Sequence, residues 1–397
     1  MSTTPIELPG ASTGRRRLAV LLVLAAFAAA GIGFAAHWYT VGRYYESTDD
    51  AYVGGNLVQI TSQVPGTVLA IGADDTDFVK AGQTLVQLDK ADSRIALKQA
   101  EAQLANAVRA VRNLMATTGG SEANVALRRS ELEKAQQDLA RRQPLDATGA
   151  LSAEDLQHAR DAVTAAKAAL DAARMQLAAQ RTLVDRTTVE THPEVQTAAA
   201  RVREAYLAYA RTALPAPVSG FVARRSVQVG QRIGTGAPLM TVVPLEQVWV
   251  DANFKESQLA DLRAGQPAKL TADAYGGAVE FHGRIAGFSA GTGGAFALLP
   301  AQNATGNWIK VVQRVPVRIA LDPKELAQHP LQIGLSMEVE IDTHDRSGER
   351  LSGAARTAPA YETTAFASLG ALADKRVEAI IAANGGNAGA MARPAQA

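Results

Sequence analysis

The chain has 397 residues, 40 Lys and Arg against 39 Asp and Glu, 5% aromatic residues and no cysteine. A charge balance this close to zero excludes nucleic-acid binding by bulk charge. The lack of cysteine excludes disulfides, thiolate metal sites and thiol nucleophiles, and is compatible with an oxidising compartment. The length suffices for two or three domains, and a composition rich in Ala and Gln but poor in aromatics points to long helices beside modest globular parts.

The first element is an apolar run, Leu18 to Ala36, without a charge. At about 1.5 Å per residue it reaches roughly the 30 Å of a bilayer core, which predicts one transmembrane helix. Arg15, Arg16 and Arg17 precede it, while Glu46, Asp49 and Asp50 follow Arg43. The positive-inside rule therefore places the N-terminus in the cytoplasm and everything after Trp38 outside. A cleaved signal peptide is the competing reading, but its apolar stretch normally runs only about 7 to 15 residues. Trp38 and Tyr39 suit an interfacial aromatic belt.

From Lys90 to Thr212 the strand-like Val and Thr alternation stops and helix formers take over. Leu97, Ala100, Leu104, Ala107, Val111 and Leu114 follow a 3-4 spacing, as do Leu156, Ala159, Val163, Ala166, Leu170, Ala173, Leu177 and Val184. Pro144 to Gly149 breaks the pattern, and Ser152 with Asp155 reads as a capping box that starts the returning arm. The segment is expected to be an antiparallel coiled-coil hairpin of roughly 75 to 90 Å. Thr117 to Gly120 in the first arm, and Thr191, His192 and Pro193 in the second, are expected to break or kink it.

The segments flanking the hairpin repeat each other. Val64, Gly66, Val68, Val79, Gly82 and Leu85 match Val218, Gly220, Val222, Ile233, Gly236 and Leu239 at a constant offset of 154. Two such halves close one small β-sandwich only if the hairpin arms lie side by side. Pro215 and Pro217 end the second arm. Beyond Pro244, alternating runs at Val248–Ala252, Ala268–Ala272, Phe281–Phe288, Trp308–Val312, Val315–Ala320 and Met337–Ile341 predict a small β-barrel, with a short helix at Gln258–Arg263. The tail from Asp345 to Ala397 lacks strand periodicity and is expected to be mostly disordered. Ala365 to Ala383 is its one candidate for an amphipathic helix, which would rest on a membrane or partner if it had a specific role.

Three stretches carry a family resemblance: T-D-D-A-Y-V at Thr48–Val53, D-A-N-F-K-E at Asp251–Glu256, and the long run from Gly291 to Ile319. They resemble the EmrA-type branch of the HlyD family of membrane fusion proteins, over about residues 15 to 343. The tail lies outside that resemblance. The implied fold is α+β: mainly all-β globular parts with a long α-helical coiled-coil hairpin, a transmembrane helix, a split lipoyl-like β-sandwich and a small β-barrel. The implied order is a cytoplasmic N-terminus (1–17), the anchor (18–36), a linker and the start of the barrel (37–57), and the first lipoyl-like half (58–89). The hairpin (90–213, tip near 143–152), the second half (214–244), the barrel (245–344) and the tail (345–397) follow.

The resemblance implies a periplasmic adaptor of a tripartite multidrug efflux pump. Its implied partners are an inner-membrane major facilitator drug/proton antiporter, a TolC-like outer-membrane channel and further copies of itself, with hydrophobic drugs in possible direct contact. Arg141, Leu145 and Ser152 have the spacing of the R-L-S motif by which adaptor tips contact such channels. Local structure offers them plainer roles: Arg141 complements a helix C-terminus and Ser152 is a good N-cap. Relatives of the same layout serve type I protein secretion with an ATP-driven exporter, which is the alternative function.

Enzymatic readings find little support. Lys90 invites comparison with a lipoyl or biotinyl lysine, but the attachment hairpin is replaced by the helical insertion, so no cofactor is expected. His158, His192, His282, His329 and His344 show no metal-ligand spacing with carboxylates. Gly291 to Gly294 lacks the Lys-Ser/Thr ending of a phosphate loop. No catalytic, cofactor or metal residue is assigned, and the residues that would bind substrate are unknown.

Overall fold

The computed structural model describes residues 13–146, 152–296, 312–351 and 355–386. The chain opens with helix α1 (Thr13–Thr40). Phe27 is 74% exposed and Phe34 73%, so nothing among the described residues covers this apolar cylinder. Among the described residues it is the one helix long and apolar enough to cross a membrane. Strand β1 (Tyr45–Gly54) follows after a single 3-10 turn.

Next come β2 (Val58–Thr61), β3 (Gly66–Ile71), β4 (Phe78–Val79) and β5 (Thr84–Leu88). Three helices then leave and return: α2 (Ala91–Asp146), α3 (Ala153–Val184) and α4 (Pro193–Ala210). The chain re-enters the same unit as β6 (Ala213–Pro215), β7 (Gly220–Arg225), β8 (Arg232–Ile233) and β9 (Pro238–Val243). It finishes with β10 (Trp249–Lys255), β11 (Pro267–Ala272), β12 (Glu280–Phe288), β13 (Arg314–Leu321), α5 (Pro323–Gln328), β14 (Ser336–Asp342) and α6 (Ser368–Asn384).

The two flanking halves interleave into a sandwich. One sheet runs β2-β9-β7-β4 and the other β6-β5-β3-β8, so each sheet takes two strands from either half. Shifting every residue by 154 converts one sheet into the other, a pseudo-two-fold that extends to the turns. Gly82 (φ 83°) donates to Ala216 O at 2.8 Å, and its counterpart Gly236 (φ 82°) donates to Ser62 O at 2.7 Å. Val68, Leu85, Leu88, Val222, Leu239 and Val242 fill the space between the sheets.

The last strands and β1 close a six-stranded barrel in the order β1-β10-β13-β12-β11-β14, with β14 returning to β1. Closure leaves no sheet edge to pair with another chain. Burial alternates with period two: Val250, Ala252 and Phe254 of β10, and Met337, Val339 and Ile341 of β14, point inward. β1 bulges between Thr48 and Ala51 where it pairs with β14. The expected strand at Trp308–Val312 falls almost wholly outside the described residues. The short helix expected at Gln258–Arg263 is a 3-10 turn over Glu256–Ala260.

The hairpin departs from expectation in two places, both on its outgoing arm. α2 is one unbroken helix of 56 residues, about 84 Å long, and passes through Thr117–Gly120. Packing of its seam, with Val108, Val111 and Thr118 buried, overrides the poor local propensity. It also continues past Pro144 to Asp146, because a proline this near the C-terminus forfeits only one helical hydrogen bond. The second arm does break, between Val184 and Pro193.

The tail differs most. Within the segment expected to be mostly disordered, the candidate amphipathic helix at Ala365–Ala383 forms as α6 over Ser368–Asn384, and it packs against the chain's own hairpin root. Ala373, Val377 and Ile381, four residues apart, are buried against α2 and α4. Three apolar residues suffice because the groove between α2 and α4 already exists to receive them.

Candidate functional sites

The hairpin tip presents two of the three motif residues on one helix face. Arg141 and Leu145, one turn apart near the end of α2, are both exposed. Arg141 Nη2 lies 3.2 Å from Asp138 Oδ1 with its side chain 76% exposed, and Arg142 takes the other carboxylate oxygen at 2.8 Å. Asp138 therefore orients two guanidinium groups, of which Arg141's is the more exposed. Ser152 is the N-cap of α3: its Oγ accepts from Asp155 N at 3.0 Å and donates to Asp155 Oδ2 at 2.6 Å. Its hydroxyl is thus engaged in the cap. The connecting residues 147–151 lie outside the described residues.

The family-like stretches on β1 and β10 meet across the barrel wall. Asn253 Nδ2 donates to Asp50 Oδ1 (3.1 Å), Thr48 Oγ1 donates to Asn253 O (3.0 Å), and Arg314 Nη1 pairs with Asp50 Oδ2 (3.0 Å). Beside them Trp249 Nε1 donates to Asp251 Oδ2 (2.7 Å), while the Arg318 guanidinium lies 4.2 Å over the indole. These groups satisfy one another at the β1 bulge and hold β1, β10 and β13 in register, a structural role. Of the long run Gly291–Ile319, residues 297–311 lie outside the described residues.

The junction between sandwich and barrel carries a groove of about 660 Å³. Leu57, Phe221, Val243, Leu245, Pro330 and Ile333 line it, and no ionisable side chain does. Phe221 packs edge-to-face on Phe78, centroids 5.2 Å apart, and the two are cross-strand partners on β7 and β4. The repeat-related pair, on β3 and β8, is Thr67 and Arg232. The sandwich therefore does not require an aromatic pair at this position, and nothing in the sequence pattern distinguished it from a polar one.

The histidines and Lys90 sit in structural settings. His282 Nδ1 is 2.8 Å from Glu325, and His158 lies 3.5 Å from Glu154. His344 bonds Asp342 and stacks on Tyr44 at 4.2 Å, and His329 packs edge-on against Tyr275 and Phe281. Burial pushes the Asp342 carboxyl up, but the backbone and ring hydrogen bonds from His344 outweigh it and hold the group below its usual range. Among the described residues no group of three His, Asp or Glu could hold a metal. Lys90 stands at the foot of α2, where its carbonyl accepts from Arg94 N (2.9 Å), rather than on a sandwich turn.

Comparison with known proteins follows this architecture. The family model for the EMRA alpha-helical hairpin domain matches residues 91–212. The chain is 49% identical over 350 residues to the multidrug export protein EmrA of Escherichia coli, covering 88% of this chain and 90% of that one. It is 51% identical over 330 residues to the fatty acid resistance protein FarA of Neisseria gonorrhoeae, covering 83% of each. To the probable multidrug resistance protein EmrK of Escherichia coli it is 45% identical over 376 residues, 94% of this chain and 97% of the relative. An alignment of that extent reaches into residues 345–397, which the sequence motifs had left outside the resemblance.

Proposed function

The chain belongs to the EmrA family of membrane fusion proteins, and on that premise we propose that it is the periplasmic adaptor of a multidrug efflux pump. One observation carries the reading: a helical rod about 84 Å long stands on a sandwich and barrel that follow a helix long and apolar enough to cross a membrane. Such a rod reaches far beyond what either globular core needs. Its exposed end offers guanidinium donors and an apolar side chain to a partner, as helix-groove docking requires.

In this reading the N-terminus is cytoplasmic, the bulk is periplasmic and the adaptor works as a homo-oligomer. It links a major facilitator drug/proton antiporter to a TolC-like channel, and hydrophobic compounds pass between the two. The adaptor carries out no chemistry itself. Arg141, Leu145 and Ser152 are its channel contacts, with Ser152 also serving as the cap of α3.

The test is a mild-detergent pull-down of the tagged full chain from native membranes, with the co-purifying proteins identified by mass spectrometry. Recovery of a proton antiporter and an outer-membrane channel is expected; an ATP-driven exporter in the antiporter's place would move the chain to protein secretion and overturn the efflux reading. The tip is tested separately. Arg141→Glu with Leu145→Asp is expected to keep the inner-membrane complex but reduce cross-linking to the channel at least tenfold, and undiminished cross-linking would remove the tip assignment.

A further inference from the structure

The foot of the hairpin and the rod beyond it are built differently, and the boundary falls at one level on both arms. Up to Arg112, α2 belongs to a three-helix bundle. Val377 and Ile381 of α6 join the cluster of Leu104, Val108 and Val202. Arg376 bonds Glu101 (2.7 Å), Arg203 bonds Asp374 (2.6 Å), and Arg112 donates to Asn384 O (2.8 Å). α6 ends at Asn384, and beyond Arg112 two helices remain among the described residues. The Arg181–Glu122 pair at 2.6 Å fixes the register there, setting the end of α3 beside the residues around Gly120.

On the returning arm the helix stops at Val184 and resumes at Pro193. Arg186, inside the gap, has φ 57°, a conformation that L residues rarely adopt. The buried His192 ring spans the gap: Nδ1 accepts from Glu194 N at the start of α4 (3.3 Å), which leaves Nε2 to donate to Leu183 O at the end of α3 (3.1 Å). One ring therefore caps both helix ends.

At the same height the outgoing arm reads Thr117, Thr118, Gly119, Gly120. Glycine is the poorest helix former after proline. A Cβ added at Gly119 or Gly120 would meet nothing within 4 Å, so packing does not call for glycine at either position. Thr117, Thr118 and Ser121 each turn a hydroxyl back to the carbonyl four residues earlier, at 2.8, 3.0 and 3.2 Å, an arrangement that bends helices.

We propose that residues 117–120 and 185–192 together form a joint in the hairpin, across which the two-helix rod pivots on a root that α6 stiffens. The glycines supply backbone freedom on one arm, and the His192 ring keeps the other arm connected while it bends. The joint lies mid-rod rather than where the hairpin meets the sandwich, and it fixes how far the tip can swing while the root stays put.

The chain has no cysteine, so paired labels can be introduced without background. Spin labels at Ala102→Cys and Glu133→Cys straddle the joint, and a control pair at Ala126→Cys and Gln143→Cys lies wholly beyond it. In the full-length protein, electron–electron distance measurements are expected to show a distribution across the joint at least twice as wide as in the control. Gly119→Ala with Gly120→Ala is expected to narrow it toward the control width, with the single variant Gly120→Ala falling between. An equally narrow distribution in the wild-type chain would overturn the proposal, as would a wide one that the alanines leave unchanged. The control pair reports in every sample whether the rod has formed.

Discussion

Thr76 adopts φ 74° where its counterpart 154 residues on, Gly230, adopts φ 83°, and each donates its N–H across the sandwich at 2.8 Å, to Val222 O and Val68 O. The backbone geometry is shared, so the two positions differ chiefly in the cost of holding it, about 1 to 2 kcal/mol for a side chain with a Cβ. Gly230→Ala meets no neighbour within 4 Å, so its penalty is conformational. It is expected to lower the unfolding free energy in urea by about 1 kcal/mol. Thr76→Gly is expected to gain less than that, because glycine also loosens the unfolded chain. An unaltered urea midpoint in Gly230→Ala would show that the turn does not hold the left-handed form.

Asp74 and Arg225 join the two halves of the sandwich, Arg225 Nε donating to Asp74 Oδ1 at 2.7 Å. That bond, with the Asp75 N–H, holds the Asp74 carboxyl below its ordinary value. A carboxylate depressed on folding adds stability above its unfolded pKa of about 3.9, and the gain vanishes as pH falls through the folded value. Asp74→Asn should therefore lower the urea midpoint at pH 7, with a smaller deficit at pH 2.5. A deficit of equal size at both pH values would mean that the contact does not act through charge. Neither feature is carried by the repeat motif, which aligns apolar residues and the glycines at 66/220 and 82/236 but includes neither Thr76/Gly230 nor the Asp74–Arg225 pair.

At the scale of elements, α6 was the hardest to read and α2 the easiest to misjudge. The amphipathic stripe of Ala373, Val377 and Ile381 is legible in the sequence, but its docking site is not, because the groove that receives it is assembled from residues more than 160 positions earlier. In α2 the glycines were seen and read as a break; local propensity carried that expectation, and seam packing overruled it. Val377→Asp would place a carboxylate at a position 3% exposed. It is expected to undock α6, so that amides 368–384 exchange with solvent at least tenfold faster while those of α2 between Leu104 and Val111 change less. Retained protection of 368–384 would show that the ion pairs at Arg203 and Arg376 hold α6 without its apolar stripe.

For the whole molecule, the apolar run, the heptad-like seams, the 154-residue repeat and the alternating strands were enough to place the anchor, hairpin, sandwich and barrel. Each rests on a period that the chain must obey to bury apolar surface. The tip assignment rests on resemblance alone, since Arg141, Leu145 and Ser152 are unremarkable as residues and their proposed role depends on a partner that this chain does not contain. The Asp50–Asn253–Arg314 cluster joins residues up to 264 positions apart, and only the folded barrel brings them together.

The interleaving of the two sandwich halves has a consequence for how the chain comes to be folded. Neither sheet can be completed from one half, and roughly 120 residues separate β5 from β6. Closing a flexible loop of that length would cost about 4 kcal/mol in chain entropy. A coiled coil that zips from its tip brings β5 and β6 together using contacts local to the hairpin, so the long closure becomes a short one. The rod is therefore a folding template before it is a spacer. A substitution far out along it, touching no strand, can leave the sandwich at its foot unmade.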